Sequence, residues 1–141
     1  TFHKIQKAYY QYCYQAVAAD GIKMSEMVCI LSLYNSAPKD TARDIIEYSR
    51  LSPGMVSRSL ESLREAGLIE GYRDHKDSRY IHLRLLPKAH PILARLSQAQ
   101  TEFITCIADG ISKDDFAQVC QIAETMADNL EGNPKLKSSL T

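Results

Sequence analysis

The chain has 141 residues, 45% of them apolar and 24% charged, which suits an ordinary globular protein with one modest core. No stretch is apolar for long enough to span a bilayer and no basic-apolar-small leader is evident, so no membrane partner is expected and the cytoplasm is the expected location. Formal net charge is zero, which by itself gives no reason to expect a polyanionic partner.

Residues 2–19 carry Phe2, Ile5, Tyr9, Tyr12, Cys13 and Ala16 at helical spacing, and Asp20-Gly21 ends the pattern. Ser25 has the form of an N-cap for the apolar helix MVCILSLY, which stops near Asn35 and Pro38. Thr41-Ala42-Arg43-Asp44 reads as a capping box. It opens a short helix whose Ile45, Ile46 and Tyr48 can face inward.

RLSPGMVSRSLESLREAGLIE then offers Ser52 as cap and Pro53 at the first helical position, where its missing N–H is harmless. Val56, Leu60 and Leu63 form one apolar stripe. Ser57, Arg58, Glu61, Ser62 and Arg64 are left on outer arcs, and Gly67 supplies the stop. Only a few residues around Arg50-Leu51 separate the two helices, which together make a helix-turn-helix.

Past Gly67 the period becomes alternating. Leu68 to Arg73 is a predicted strand, DHKDSRY a charged tip, and YIHLRL a second strand with Ile81, Leu83 and Leu85 on one side. Helix-turn-helix followed by hairpin is a winged helix.

Leu86-Pro87 opens a long helix to about Ala108, with Ile92, Leu96, Ala99, Phe103 and Ile107 on one stripe. Asp109-Gly110 breaks it. Ser112, with Asp114 and Asp115 in the first turn, starts a last helix bearing Phe116, Val119, Cys120, Ala123, Met126, Ala127 and Leu130. The expected organisation is therefore an N-terminal dimerisation helix (1–23), a winged helix-turn-helix lobe (24–86), C-terminal dimerisation helices (87–131) and a disordered tail (132–141).

The charge is not evenly spread. Residues 1–42 hold four Lys/Arg and three Asp/Glu, residues 43–88 nine and seven, and residues 89–141 four and seven. The basic third coincides with the helix-turn-helix and wing. Cys13, Cys29, Cys106 and Cys120 show no CxxC pair or zinc spacing, and all four are expected to be buried free thiols of a reducing compartment. His3, His75, His82 and His90 lie on four different elements, so neither a metal nor any other cofactor is expected. No GxSxG elbow, phosphate-cradling glycine loop or HExxH is present, so the chain is not read as an enzyme.

The order of elements, together with TARDI, SPGMVSRSLESLREAGLI and DHKDSRYIHLRL between Thr41 and Leu85, resembles the MarR (multiple antibiotic resistance regulator) family of bacterial transcription factors. Asp77-Ser78-Arg79 stands where that family has its Asp-x-Arg wing signature. Leu86-Pro87 and Ala89 depart from the Thr cap and later Gly usual at the start of its long helix. The resemblance implies a mainly α fold with a two-stranded β wing, a homodimer, and double-stranded DNA as partner. It also implies that Arg79 enters the minor groove with its guanidinium held by Asp77.

Groove geometry gives the remaining roles. A helix fits the major groove of B-DNA and reads bases from its N-terminal residues, here Ser52, Pro53, Gly54, Met55, Ser57 and Arg58. Gly54 permits close backbone approach, Met55 can meet a thymine methyl, and Arg58 bidentate to guanine would contribute roughly 1–3 kcal/mol of base discrimination. Arg73 and Lys76 join Arg79 on the wing, while Asp74 and His75 are expected to be solvated. An alternative is that the Asp77–Arg79 pair merely closes the hairpin turn. Most relatives implied by the resemblance answer to a small molecule, often an aromatic anion or phenol, and others to thiol oxidation or metal. The run YYQYCYQ places Tyr9, Tyr12 and Cys13 on one helical face. Packing is its first reading, an aromatic effector pocket the second, and a reactive Cys13 thiol the third.

Overall fold

The computed structural model describes residues 1–137 and 139. In chain order the elements are α1 (Phe2–Gln15), α2 (Met24–Asn35), α3 (Ala42–Ser49), α4 (Pro53–Glu65), β1 (Ile69–Arg73), β2 (Ile81–Leu85), α5 (His90–Ile107), α6 (Lys113–Gly132) and α7 (Pro134–Lys137). They fall into two compact units, Thr1–Phe103 and Ile104–Thr141.

The first unit is built around α2. Every residue from Glu26 to Leu33 is buried, so over these eight residues the helix has no solvent face and serves as the post against which the others lean. Ile45 of α3, Val56, Leu60 and Leu63 of α4, Ile69 and Leu83 of the hairpin, and Ile92, Leu96 and Ala99 of α5 complete one apolar core. Their spacing of three and four on helices and two on strands is the pattern visible in the sequence.

Local chemistry sets the ends of the elements. Thr41 Oγ1 accepts from the Asp44 N–H at 3.2 Å while Asp44 Oδ2 accepts from the Thr41 N–H at 3.0 Å, closing the expected capping box. Ser52 Oγ accepts from the Met55 N–H at 3.2 Å, with Pro53 at the first helical position. At the other end of α4 Gly67 has φ +72°. Its N–H donates to the Arg64 carbonyl, and that of Leu68 to the Leu63 carbonyl, both at 3.0 Å, which is a Schellman closure.

The hairpin pairs Ile69 with Leu85, Gly71 with Leu83 and Arg73 with Ile81 in antiparallel register. It is also tied to the loop before α3: the Leu83 N–H donates to the Asp40 carbonyl at 2.9 Å, and Thr41 makes an isolated bridge to His82.

The second unit holds the end of α5, then α6 and α7. Ser112 caps α6 by accepting from the Asp115 N–H at 3.1 Å, as its sequence signalled. No residue of α6 is buried, and Val119, Ile122 and Met126 are among the most exposed apolar side chains of the chain.

Several expectations are corrected. Helix α2 starts at Met24, with Lys23 as its cap and the Glu26 carboxylate reaching back to the Lys23 N–H at 3.5 Å; Ser25 lies inside the first turn and bonds elsewhere. Tyr48 is exposed, because α3 spans only two turns and Ile45 and Ile46 already fill its inner face. Ile81, at the outer end of β2, is exposed beyond the reach of the core. Cys13 and Cys29 are buried but Cys106 and Cys120 are exposed, since both lie in the second unit's exposed helices. The long helix is preceded by a 3-10 turn at Pro87–Ala89. Residues 134–137 of the expected tail form α7, and residues 138, 140 and 141 lie outside the described residues. Among the described residues no helix is long and apolar enough to cross a membrane.

Candidate nucleic-acid interface

Helix α4 is divided lengthwise. Val56, Ser59, Leu60 and Leu63 are buried against α2 and its neighbours, while Ser52, Pro53, Gly54, Met55, Ser57 and Arg58 are all exposed. The inner contact is not purely apolar. Ser59 Oγ donates to Ser25 Oγ at 3.0 Å, and Ser62 Oγ donates to the buried Glu26 carboxylate at 3.1 Å. Ser62, expected on an outer arc, is thus half-buried in the seam between α2 and α4.

In the first turn of α4 Pro53 has no N–H and that of Met55 is taken by Ser52 Oγ, so the exposed Gly54 carries the backbone N–H left to meet an anion. A Cβ added at Gly54 would lie 3.3 Å from Arg58 Nη1, so the guanidinium rests against the bare backbone of that turn. Glycine here leaves room for the arginine as well as for whatever approaches the helix end. Arg58 has no carboxylate partner among the described residues.

At the wing tip Arg79 Nε and Nη2 each donate to the Asp77 carboxylate at 2.9 Å, and the Arg79 N–H donates to the same group at 3.1 Å. The Arg79 side chain is nonetheless 79% exposed, so its free edge faces solvent. This contact holds the Asp77 carboxyl below the usual carboxylate range and the guanidinium above its own. Arg73 donates to the Ser78 carbonyl, bracing the tip, and Asp74 accepts from the Lys76 N–H at 3.0 Å, leaving the Lys76 ammonium exposed. Asp74 and His75 are exposed as expected.

The base of the wing carries a cluster with no sequence signal. Asp40 Oδ1 lies 2.6 Å from His82 Nδ1, and Asp40 Oδ2 accepts from the Tyr72 hydroxyl at 3.4 Å. The Tyr72 ring sits 5.5 Å from that of His82, with the Arg84 guanidinium 4.7 Å above Tyr72. The Asp40 carboxylate raises the His82 pKa. Asp40 and His82 are separated by 42 residues, and a pairing of this kind has no local periodicity to betray it.

Tyr9 and Tyr12 of α1 both pack on Phe103, with ring centroids 5.5 and 5.9 Å away. Gln100 Nε2 donates to the Tyr9 hydroxyl at 2.5 Å and to Asn35 at 3.2 Å, and the Tyr12 hydroxyl donates to Glu102 at 3.0 Å. Burial pushes the Tyr9 phenol up to about 12 and raises the Cys13 thiol, so Cys13 is a poor source of thiolate.

A family model described as a winged helix DNA-binding domain matches residues 23–89. No curated protein matches the sequence. Among solved structures, the transcriptional regulator PA3341 is similar at 20% identity and TM-score 0.82, covering 94% of this chain and 96% of that one. A MarR-family regulator from Silicibacter pomeroyi follows at 18% identity and TM-score 0.78, covering 94% and 89%. A mutant of S. aureus MepR bound to an oligodeoxyribonucleotide is similar at 18% identity and TM-score 0.56, covering 92% and 94%. At these identities the likeness is one of fold.

Proposed function

From a chain that carries a winged helix DNA-binding domain within the architecture of MarR-family transcriptional regulators, we propose a homodimeric regulator that binds a pseudo-palindromic operator in double-stranded DNA. Helix α4 enters the major groove by its first turn, and the wing grips the neighbouring minor groove through Arg79. The observation that carries this reading is the pairing of an exposed, capped helix end (Ser52 to Arg58) with a guanidinium pre-set by two 2.9 Å bonds to Asp77. A fixed guanidinium gives up fewer rotamers on binding than a free lysine would.

Dimerisation is supported by α6, whose Val119, Ile122 and Met126 form an exposed apolar row at helical spacing. Two copies would address half-sites about one helical turn apart. Repression is the mode assigned, by simple occupation of the operator. Where a small aromatic effector acts, Tyr9 and Tyr12, on the helical face they share with Cys13, are the side chains proposed to meet it. A thiol switch at Cys13 is disfavoured by burial.

The experiment is binding-site selection from random duplexes, followed by the variants Arg58→Ala and Arg79→Ala. Arg79→Ala should weaken binding to every duplex, and Arg58→Ala should blur preference at one base position. The zero net charge favours a second reading, a winged helix that contacts protein. Affinity that is flat with salt, and both variants binding like wild type, would establish that reading instead.

A further inference from the structure

Four described residues have positive φ: Gly21, Gly67, Gly110 and Arg50. Three of the four left-handed positions are thus filled by the residue that adopts this conformation without steric penalty. The fourth, φ +60° and ψ +16°, is an arginine at the C-cap of α3, in the turn that leads to α4. The turn demands that conformation. The Arg50 N–H donates to the Ile46 carbonyl at 3.1 Å to close α3, Leu51 packs against the core, and Ser52 already begins the cap of α4. Glycine would meet the same demand with less strain. Asparagine, the usual substitute, is also absent.

The side chain does not account for the exception by any contact within the chain. Arg50 is exposed, and no carboxylate or carbonyl among the described residues accepts from its guanidinium. Other arginines are engaged: Arg43 with Glu47, Arg84 with Glu70, Arg95 with Asp20. Only Leu51 separates Arg50 from Ser52, which keeps the Arg50 Cα within about 7 Å of the α4 cap. Arg50 therefore stands at the mouth of the helix-turn-helix, just before the cap of the exposed first turn. We infer that Arg50 is a DNA-backbone contact, neutralising one phosphate next to the entry point of α4, and that the left-handed strain is tolerated for this purpose. The inference rests on the docking reading above and adds a residue to it. Because a phosphate contact carries no base information, its loss weakens binding without changing which sequence is preferred.

The test uses Arg50→Gly, which keeps the backbone conformation and removes the cation, with Arg50→Lys as the charge-preserving variant. Affinity of the full chain for a random-sequence duplex of about 30 base pairs is measured between 50 and 200 mM salt, with wild type and Arg79→Ala alongside. One phosphate contact contributes about 0.9 to the slope of log affinity against log salt. Over that fourfold salt range wild type should lose roughly 3.5-fold more affinity than Arg50→Gly. Arg50→Lys should keep most of the wild-type slope, and Arg50→Gly should melt at the wild-type temperature or a few degrees above. If wild type binds with a steep slope, Arg79→Ala is weakened, and Arg50→Gly still matches wild type, then Arg50 makes no phosphate contact and the inference falls alone. If wild type itself shows no salt dependence, the docking reading falls and takes this inference with it.

Discussion

The seam between α2 and α4 gives the sharpest stability prediction, because a buried carboxylate lies under the helix proposed to enter the groove. Glu26 is 7% exposed and accepts from Ser62 Oγ at 3.1 Å, with the Lys23 N–H more distant at 3.5 Å. Ser62→Ala deletes the nearer donor and leaves that oxygen facing a methyl group. Hydrogen bonds to charged groups contribute about 1.5–3 kcal/mol, but Ser62 is only half-buried, so water recovers part of the loss. The expected destabilisation is about 1–2 kcal/mol. With a urea m-value of roughly 2 kcal/mol/M, the midpoint should fall by about 0.5–1 M at constant m. Ser57→Ala, on the outer face of the same helix, should move it by less than about 0.25 M. A cycle with Glu26→Ala should show coupling of at least about 0.5 kcal/mol, since removing either partner abolishes the same bond. Equal midpoints for Ser62→Ala and Ser57→Ala, or an additive cycle, would refute a seam held by that contact.

Other outcomes follow from the wing and the thiols. The Asp40 carboxylate, with further attraction from Asp74 and Asp77, raises the folded His82 pKa above its ordinary 6.5. That contribution to stability is therefore complete below about 6.5 and is lost as pH rises through the higher folded value. An NMR titration should place the His82 midpoint above 6.5, and Asp40→Asn should bring it back; an unchanged midpoint in the variant would contradict the assignment. Asp77→Ala removes the clamp on Arg79, so affinity should drop for selected and random duplexes alike, by less than in Arg79→Ala. Fluorescence anisotropy showing wild-type affinity on both would mean that the pair only closes the turn. Maleimide labelling of the chain diluted to a monomer, followed by mass spectrometry, should find Cys106 and Cys120 modified long before Cys29, whose thiol burial pushes to about 11, or Cys13. Labelling of Cys29 as fast as Cys106 would count against that burial.

What could be read from the sequence is what short-range chemistry decides. Thr41 with Asp44, Ser52 with Pro53, and Gly67 with Leu68 mark ends within four residues of themselves, and each forms the closure its residue types suggest. The stripe Val56, Leu60, Leu63 likewise announces the inner face of α4. Ser25 shows where such reasoning stops. Its hydroxyl suits a cap, but a bond to Ser59, 34 residues away, holds it inside the helix instead. Ser62, Asp40 and His82 are the same case: polar residues whose partners are 36 and 42 residues distant leave no periodic trace. The exposed Cys106 and Cys120 fail for another reason. An apolar helical pattern reports that a face will be covered, and it does not distinguish cover by the same chain from cover by a second copy.

Zero net charge would weigh against polyanion binding only if the charges were evenly mixed, and they are not. Within a Debye length of about 8 Å at physiological salt, a phosphate responds to the charges near it and hardly to the total. Glu47, Glu70 and Asp20 are committed to Arg43, Arg84 and Arg95, pairs that cancel locally. Arg50, Arg58 and Lys76 have no carboxylate partner among the described residues, and all three belong to the turn before α4, its first turns, or the wing. Arg79 is paired with Asp77 yet remains 79% exposed. Four cations per chain that each displace one counterion would give a slope of log affinity against log salt near −3.6, or about −7 for two copies on one duplex. The four together with the dimer are thus measurable in a single titration. A slope near −1 would mean that these cations face something other than a phosphate backbone, whatever the affinity proved to be.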